Sequence, residues 1–582
     1  MFLARIRIRN FRNFDDQVFT FSEGLNVIVG ENNAGKSNLL DAIRLGLGNV
    51  GEAVRVSRED LRHVAGEPVE KPIRIDIYFG GLTEAQKGEF VELLNNHPTD
   101  PSKTTASVHY EWYRESEEKR YSLRRWAGDR ENAGAAIPDE TFQSITFTYL
   151  DALRDAESLL APGKNSRLGR LLRMAATDAE KKCLTDIFSN ANILVEENEL
   201  VDKVESRIGS VLTKAAGPKL NQESAIRAWP AKFERIANSL RLILKGGNTE
   251  ELRRNGLGYN NLLFMATVIA ELEEYSATSL PLLLVEEPEA HLHPQLQDVI
   301  IDYLADGHDR VQRIITTHSP NVASRVPISS LRLLHRGPSG EPDWGDLSLA
   351  GLQPDEEMQI HRVLDVTKAS VLFARGVILV EGITERLLFP LFSERIGKSL
   401  SKHAVAVVPV HGVDFETLLK LFGPQKLNIK VAVVTDGDPE MENKDSWRTV
   451  TPKKVNGKVD ACTRVKKLIA DNSSTGVLIR ASTVTLEYDL CAESAGNCSA
   501  IKTAWSSQLK RKSSLLPEDY ENMKLDEQAL WMWRIVCHSD TVVSKSGTAQ
   551  ALANHLTKNP GANFDVPAYI RDAIEHAVSW AY

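Results

Sequence analysis

The sequence predicts an α/β chain with two open, largely parallel sheets in series, and three observations carry that reading. A strand, a glycine-rich loop and an amphipathic helix follow one another between residues 25 and 47. Two further apolar runs within the first 320 residues end abruptly in paired acids or in histidine. After residue 376 short β-rich runs alternate with helical stretches, the rhythm of a second α/β unit. At 582 residues the chain is also too long for a single hydrophobic core.

Residues 3–9 alternate apolar and basic, which puts Ile6 and Ile8 on one face of a half-buried strand and Arg5, Arg7 and Arg9 on the other. A second strand, Leu25–Val29, feeds Gly30-Glu31-Asn32-Asn33-Ala34-Gly35-Lys36-Ser37 and then a helix. That spacing is a phosphate loop. Backbone N–H groups between Gly30 and Gly35, those of Asn32 and Asn33 included, turn toward phosphate; Lys36 reaches the β/γ oxygens, and Ser37 ligates Mg²⁺. ATP is therefore the expected nucleotide. Downstream, Pro281–Val285 reads as a buried strand ending in Glu286-Glu287, so both carboxylates emerge at the carboxyl edge beside the phosphates. Glu286 is expected to help hold the Mg²⁺ shell and Glu287 to orient or deprotonate the attacking water. A third strand, Arg313–Thr317, delivers His318 to the same edge.

Between residues 155 and 245 the pattern is mostly helical, with Ile193, Leu194, Leu200, Val201, Val204, Ile208, Val211 and Leu212 along an apolar stripe and no chemical motif. Packing or self-association is its expected role. The cluster Arg336-Gly337-Pro338-Ser339-Gly340 reads as a connector. The expected division is 1–154 and 251–370 for the two parts of the nucleotide unit, 155–250 for the helical insertion, and 371–582 for the second α/β unit.

In that second unit, Val377–Val380 is a buried strand ending in Glu381, with Glu385 four residues on at a helix start. Lys430–Thr435 is another, ending in Asp436-Gly437-Asp438, where residues two apart share a side. Carboxylates gathered at adjoining strand ends repel unless cations lie between them. Hard oxygen donors select Mg²⁺, Mn²⁺ or Ca²⁺. Glu487 supplies a further ligand and Lys545 a cation to offset charge at a reacting phosphorus, while the turn at His411-Gly412 leaves room for substrate. Basic residues from Lys453 to Lys467 and from Lys502 to Lys512 flank this site as candidate DNA contacts or as a solvated face.

A net charge of −9 argues against a protein that coats nucleic acid with its whole surface, so partners must be read from the sites. Five cysteines without a C-x-x-C pair fit free thiols and a cytoplasmic protein. No apolar run is long enough to span a bilayer, and the arginine-rich start lacks the apolar core of a leader, so a membrane partner and processing are not expected.

Several of these features are shared with known families. His318 resembles the switch histidine of ABC-type ATPases, and Asn255-Gly256-Leu257-Gly258-Tyr259 resembles their signature loop, with Gly256 and Gly258 presenting N–H groups to a γ-phosphate. In such enzymes that phosphate belongs to a partner subunit, so a dimer is implied. His291 and His293 look like part of the D-loop. Glu381 followed by Asp436-x-Asp438 resembles the Toprim fold of topoisomerases, primases and certain nucleases. An ABC-type ATPase with the segment Phe11-Arg12-Asn13-Phe14, the strand end from Glu286 to Pro294 and a C-terminal Toprim unit resembles the OLD (overcoming lysogenization defect) family of ATP-dependent nucleases, to which the Gabija antiphage nuclease subunit is related. The resemblance implies double-stranded DNA as substrate, a homodimer or tetramer built on the helical insertion, a helicase partner, and a role in phage defence or DNA processing. It places the metal ligands at Glu381, Glu385, Asp436, Asp438 and Glu487. The family lysine stands in a Lys-Gly-x-x-Ala run, whereas here Ser546 separates Lys545 from Gly547.

Two rivals remain open at this level. An SMC-type repair ATPase would use the Toprim unit only for docking. A type II topoisomerase also joins ATP to Toprim, but it needs a DNA gate with a tyrosine nucleophile, for which the stretch after Glu487 is short.

Overall fold

The computed structural model describes residues 1–48, 56–95, 99–100, 104–116, 120–128, 145–151, 160–163, 166–216, 224–243, 257–274, 280–290, 292–306, 311–337, 340–364, 369–410, 415–456, 458–472, 476–506, 515–538 and 544–579. Its framework is three sheets. The first is antiparallel, with Phe2–Phe11 between Phe14–Thr20 and Ile73–Gly80, followed by Thr105–Tyr113. The alternation of residues 3–9 sets its faces: Ile6 and Ile8 are fully buried, while Arg7 pairs with Asp16 across the outer surface.

The second sheet has the order Ile145–Leu150, Leu280–Glu286, Gln312–Thr317, Leu25–Val29, Leu331–Arg336, Pro342–Asp346, parallel except for the last strand. Leu282, Leu283, Leu284 and Val285 are all buried, as a strand covered on both faces requires. The register aligns Thr317 with Val29 and Glu286 with Thr316. Three strand ends thus share one edge: the phosphate loop after Val29, the acids at 286–287, and His318.

The third sheet is parallel throughout, in the order Val405–Pro409, Gly376–Val380, Lys430–Thr435, Leu478–Ala481. Val380 aligns with Val434, and Thr435 with Ala481, so Glu381, Asp436 and Ser482 leave the sheet side by side. One hydrophobic cluster runs from Val27 and Leu283 of the second sheet to Val377 and Val433 of the third.

Two expectations are corrected here. The segment at 336–340 does not separate two units: the strands on either side of it pair as a hairpin, with Arg336 opposite Pro342 and the Gly337 N–H donating to the Glu341 carbonyl at 2.6 Å, while Pro338 and Ser339 lie outside the described residues. Turn residues signal a reversal and a linker equally. That hairpin packs on the third-sheet unit, where the Asp346 N–H donates to the Gln425 carbonyl at 2.7 Å and a Cβ on Gly345 would lie 2.1 Å from the Lys426 carbonyl oxygen. The thiols are the second correction. Cys491 and Cys498 are joined in a disulfide, because consecutive helices Leu486–Glu493 and Ala495–Ser506 bring their Cα atoms to 4.2 Å, whereas Cys183, Cys462 and Cys537 are free.

Within 155–250 the described residues include four helices, Arg167–Ala175, Asp178–Glu196, Glu199–Ala216 and Phe233–Ser239, with an irregular stretch at 224–232. The two long helices bury none of their residues; Leu194 is 71% and Leu200 67% exposed. Among the described residues, no helix is long and apolar enough to cross a membrane.

Candidate functional site

The nucleotide edge is built by close approach. A Cβ on Gly30 would lie 2.0 Å from the Leu334 carbonyl oxygen, and Gly35, at φ +110°, leaves its empty side against Asn13. Only glycine meets both demands. The Phe11–Phe14 turn serves as a brace for this loop: Asn13 donates to the Ala34 carbonyl at 3.2 Å, and Arg12 pairs with Asp41 and Asp60. Asn33 lies at φ +63° inside the loop. Lys36 is buried, with Nζ donating to the carbonyls of Gly30 and Glu31 at 2.8 and 3.0 Å. Burial lowers its pKa despite the nearby Glu287 and Glu289, so its charge is poorly compensated until anionic oxygens arrive.

Ser37 Oγ donates to Glu286 Oε1, which brings the two expected Mg²⁺ partners together across 249 residues of sequence. Glu287 adopts φ +43°, and its carboxylate stands 3.0 Å from His318 Nδ1. Glu287 and His318 are thereby a contacting pair at the sheet edge. Gly258 lies in the first turn of the helix Leu257–Glu273; Gly256 falls outside the described residues, as do His291, His411 and Gly412. His293 caps the helix Pro294–Ala305 by accepting the Gln295 N–H at 3.4 Å, a structural role.

Two groups at this edge were missed in the sequence. Tyr149 donates its hydroxyl to Glu286 Oε2 at 2.6 Å, and Arg44 stacks 3.9 Å over the Tyr149 ring. Glu289 is buried, accepts from Thr317 Oγ1 at 2.5 Å through one oxygen, and has no hydrogen-bond partner for the other among the described residues. Burial raises its pKa.

At the second edge, Glu381 Oε1 accepts from Thr435 Oγ1 and from the Asp436 N–H at 3.1 Å. Asp436 is held by the Leu486 N–H at 3.1 Å and Ser482 Oγ at 3.3 Å. Gly437 admits this crossing: a Cβ there would lie 2.5 Å from the Ser482 carbonyl oxygen. Glu385 turns back to accept the Gly382 N–H at 3.0 Å, at the start of the helix Ile383–Arg395. Glu487 is buried in the first turn of Leu486–Glu493. Lys545, the first residue of the helix Lys545–Lys558, places Nζ 3.8 Å from Asp436 Oδ2 and 3.8 Å from Glu487 Oε2. The Ser546 insertion therefore does not remove the lysine from the cluster. Burial opposes its charge, but Glu487, Cys537 and Asp436 outweigh that and raise its pKa.

Burial, then Glu487, pushes the Asp436 acid well above the usual carboxylate range; burial and Glu487 also raise Glu385, and burial with Glu381 raises Asp438. Among the described residues, no three His, Cys, Asp or Glu side chains converge as a ready metal cage. The acids are instead held apart by Lys545, by backbone N–H groups and by Arg464, which bridges Glu381 and Asp438. The donor set still suits a divalent cation. Burial, and after it the neighbouring carboxylates, disfavours negative charge at these hard oxygens, and the buried Tyr569 hydroxyl, in the field of Asp489, Asp436, Glu385 and Glu487, has no hydrogen-bond partner among the described residues.

A family model described as AAA ATPase domain matches residues 1–323, more than half of the chain. One described as Overcoming lysogenization defect protein-like, TOPRIM domain matches residues 372–438, the segment that carries Glu381, Glu385, Asp436 and Asp438. The chain belongs to the AAA ATPase domain family and carries an OLD-like TOPRIM segment after that domain. The OLD nuclease of Thermus scotoductus is 23% identical over 80% of this chain and 89% of its own. Endonuclease GajA of Bacillus cereus is 21% identical over 75% of each chain, and the uncharacterized protein YbjD of Escherichia coli is 24% identical over 75% of this chain and 80% of its own. Glu487 and Lys545 lie beyond the matched TOPRIM segment and join its acids only through the fold.

Proposed function

We propose that this chain is an ATP-hydrolysing, divalent-metal-dependent DNA endonuclease that acts as a homodimer or higher oligomer in phage defence or DNA processing. The observation that carries the reading is the juxtaposition of Glu381 and Asp436 at adjoining parallel strand ends, with Lys545 within 3.8 Å of Asp436 and Glu487. The names of the OLD and GajA relatives agree with it. Glu381, Glu385, Asp436, Asp438 and Glu487 would hold Mg²⁺ or Mn²⁺, with Ca²⁺ as a non-reactive substitute. Such ions would supply an activated water and charge neutralisation at the departing oxygen. Lys545, kept charged by its acidic neighbours, offsets negative charge growing on phosphorus. At the other edge Ser37 and Glu286 hold the Mg²⁺ of ATP, Lys36 exchanges its carbonyl partners for phosphate oxygens, and Glu287 with His318 manages the attacking water.

Supercoiled plasmid incubated with Mg²⁺, Mn²⁺ or chelator, with and without ATP, tests the class: nicks or breaks that need metal support the reading, and intact plasmid in every metal opposes it. A docking TOPRIM unit would gain nothing from keeping buried acids around a charged lysine.

The two activities are joined through Arg375, which stands just before the strand that ends in Glu381. Its Nη2 donates to both oxygens of Glu31 in the phosphate loop at 3.1 and 3.0 Å, and Lys36 donates to the Glu31 carbonyl. Nucleotide that draws Lys36 away perturbs the loop this ion pair grips. Arg375→Ala is expected to shrink the effect of ATP on cleavage to within about twofold, with little change in ATP hydrolysis, since neither side chain of this partly buried pair is among those assigned to the ATP chemistry. Cleavage rates at zero and saturating ATP decide, and an unchanged ATP response would exclude this route.

The exposed apolar residues of Asp178–Glu196 and Glu199–Ala216 support self-association of the insertion. Leu194→Glu with Leu200→Glu should convert dimers to monomers in sedimentation while leaving the fold intact, because both side chains face outward. A dimer that survives the double change would assign association elsewhere.

A further inference from the structure

Most basic side chains near the carboxylate edge are committed elsewhere. Lys453 pairs with Glu440 at 2.7 Å, Lys466 with Asp460 at 2.6 Å, and Lys467 with Glu416 at 4.0 Å. Arg464 differs. Its Nη2 lies 3.2 Å from Glu381 Oε1 and 3.3 Å from Asp438 Oδ2, so one nitrogen bridges the two strand-end acids. The side chain is delivered by the first turn of the helix Thr463–Asp471, whose preceding Cys462 N–H donates to the Gly437 carbonyl at 2.9 Å, tying the helix start to the Asp-Gly-Asp turn. A second cation, Lys545, spans Asp436 and Glu487 on the buried side. Arg464 is 60% exposed, and it can leave its partners without disturbing a core.

We propose that Arg464 is the counter-cation of the metal-free site and, once ions take Glu381 and Asp438 from it, a clamp on the substrate phosphodiester. The first role follows from charge. Without positive charge between them, Glu381 and Asp438 repel, and a guanidinium satisfies both through one Nη2. Arginine does not lose its proton at any ordinary pH, so it leaves the acids only by displacement. Every ion that binds therefore competes with it. The second role follows from what is released: a planar, exposed guanidinium, tethered beside the acids, whose fork matches the non-bridging oxygens of a phosphodiester. The two roles predict effects of opposite sign, which a merely structural arginine would not give.

The second role rests on the nuclease reading, and the test separates the two. Mn²⁺ is titrated calorimetrically into the metal-free full chain without DNA or nucleotide, with Asp436→Asn marking the heat that belongs to this site. Arg464→Gln should tighten Mn²⁺ about threefold or more, because one opposing positive charge is gone. Single-turnover plasmid cleavage at saturating Mn²⁺ should nevertheless fall about tenfold or more, since one charge-bearing donor to the reacting phosphate is missing. Arg464→Lys should keep wild-type Mn²⁺ affinity and recover part of the rate. Unchanged or weaker Mn²⁺ binding by Arg464→Gln overturns the counter-cation role. An active wild type matched by an equally active Arg464→Gln overturns the clamp alone, whereas a wild type that cuts no DNA overturns the clamp together with the nuclease reading and leaves the titration to decide the rest.

Discussion

Asp436→Asn should cut DNA about a hundredfold or more slowly, with ATP hydrolysis close to the wild-type rate. Asp436 is fixed by the Leu486 N–H and Ser482 Oγ, with Lys545 beyond. Asparagine keeps the size and an acceptor oxygen but removes the charge a cation requires, so the loss measures ligation rather than misfolding. The nucleotide edge lies on a different sheet, and its contacts do not involve Asp436. Loss of both activities would contradict independent sites.

The same change carries a signature without metal. Burial and Glu487 raise the Asp436 acid well above its unfolded value. A raised acid contributes stability below its unfolded pKa and loses that contribution as pH rises through the folded value. In chelator, then, Asp436→Asn should melt above wild type at neutral pH and match it in acid, as differential scanning calorimetry would show.

Glu287→Gln should retain ATP and Mg²⁺ binding while turnover falls about a hundredfold or more, the scale of a general base removed. The position is set by backbone geometry: the chain leaves its buried strand, adopts φ +43° at Glu287, and sets the carboxylate 3.0 Å from His318 Nδ1. Glutamine can still accept from His318, so the site holds its shape and loses only the ability to take a proton. Nucleotide retention by filter binding, read against steady-state phosphate release, separates the two effects. Undiminished release would show that Glu287 does not handle the water.

The strand ends were legible because a parallel strand buried on both faces is a continuous apolar run, and the residue that breaks it is delivered to the sheet edge. Leu25–Val29, Leu280–Glu286, Gly376–Val380 and Lys430–Thr435 all follow this rule. Lys545 could be anticipated from a motif, but its helical setting could not. What sequence reading missed are contacts made only by folding. Tyr149 meets Glu286 across 137 residues, and Arg375 meets Glu31 across 344. Arg464 looked like one charge in a basic run, and only the tie between Cys462 and Gly437 singles it out. The hairpin at Gly337 and the Cys491–Cys498 pair were misjudged for a related reason: turn residues and cysteines state a capacity, while packing decides its use.

The central claim is that the acids of the third sheet gather around divalent cations. Anomalous scattering from a crystal of the full chain grown with Mn²⁺ addresses it directly. The account predicts at least one ion bound by oxygens of Glu381, Asp436 and Asp438, with the Arg464 guanidinium withdrawn. Absence of any ion there at saturating Mn²⁺, with Glu381 and Asp438 still bridged by Arg464, would contradict it.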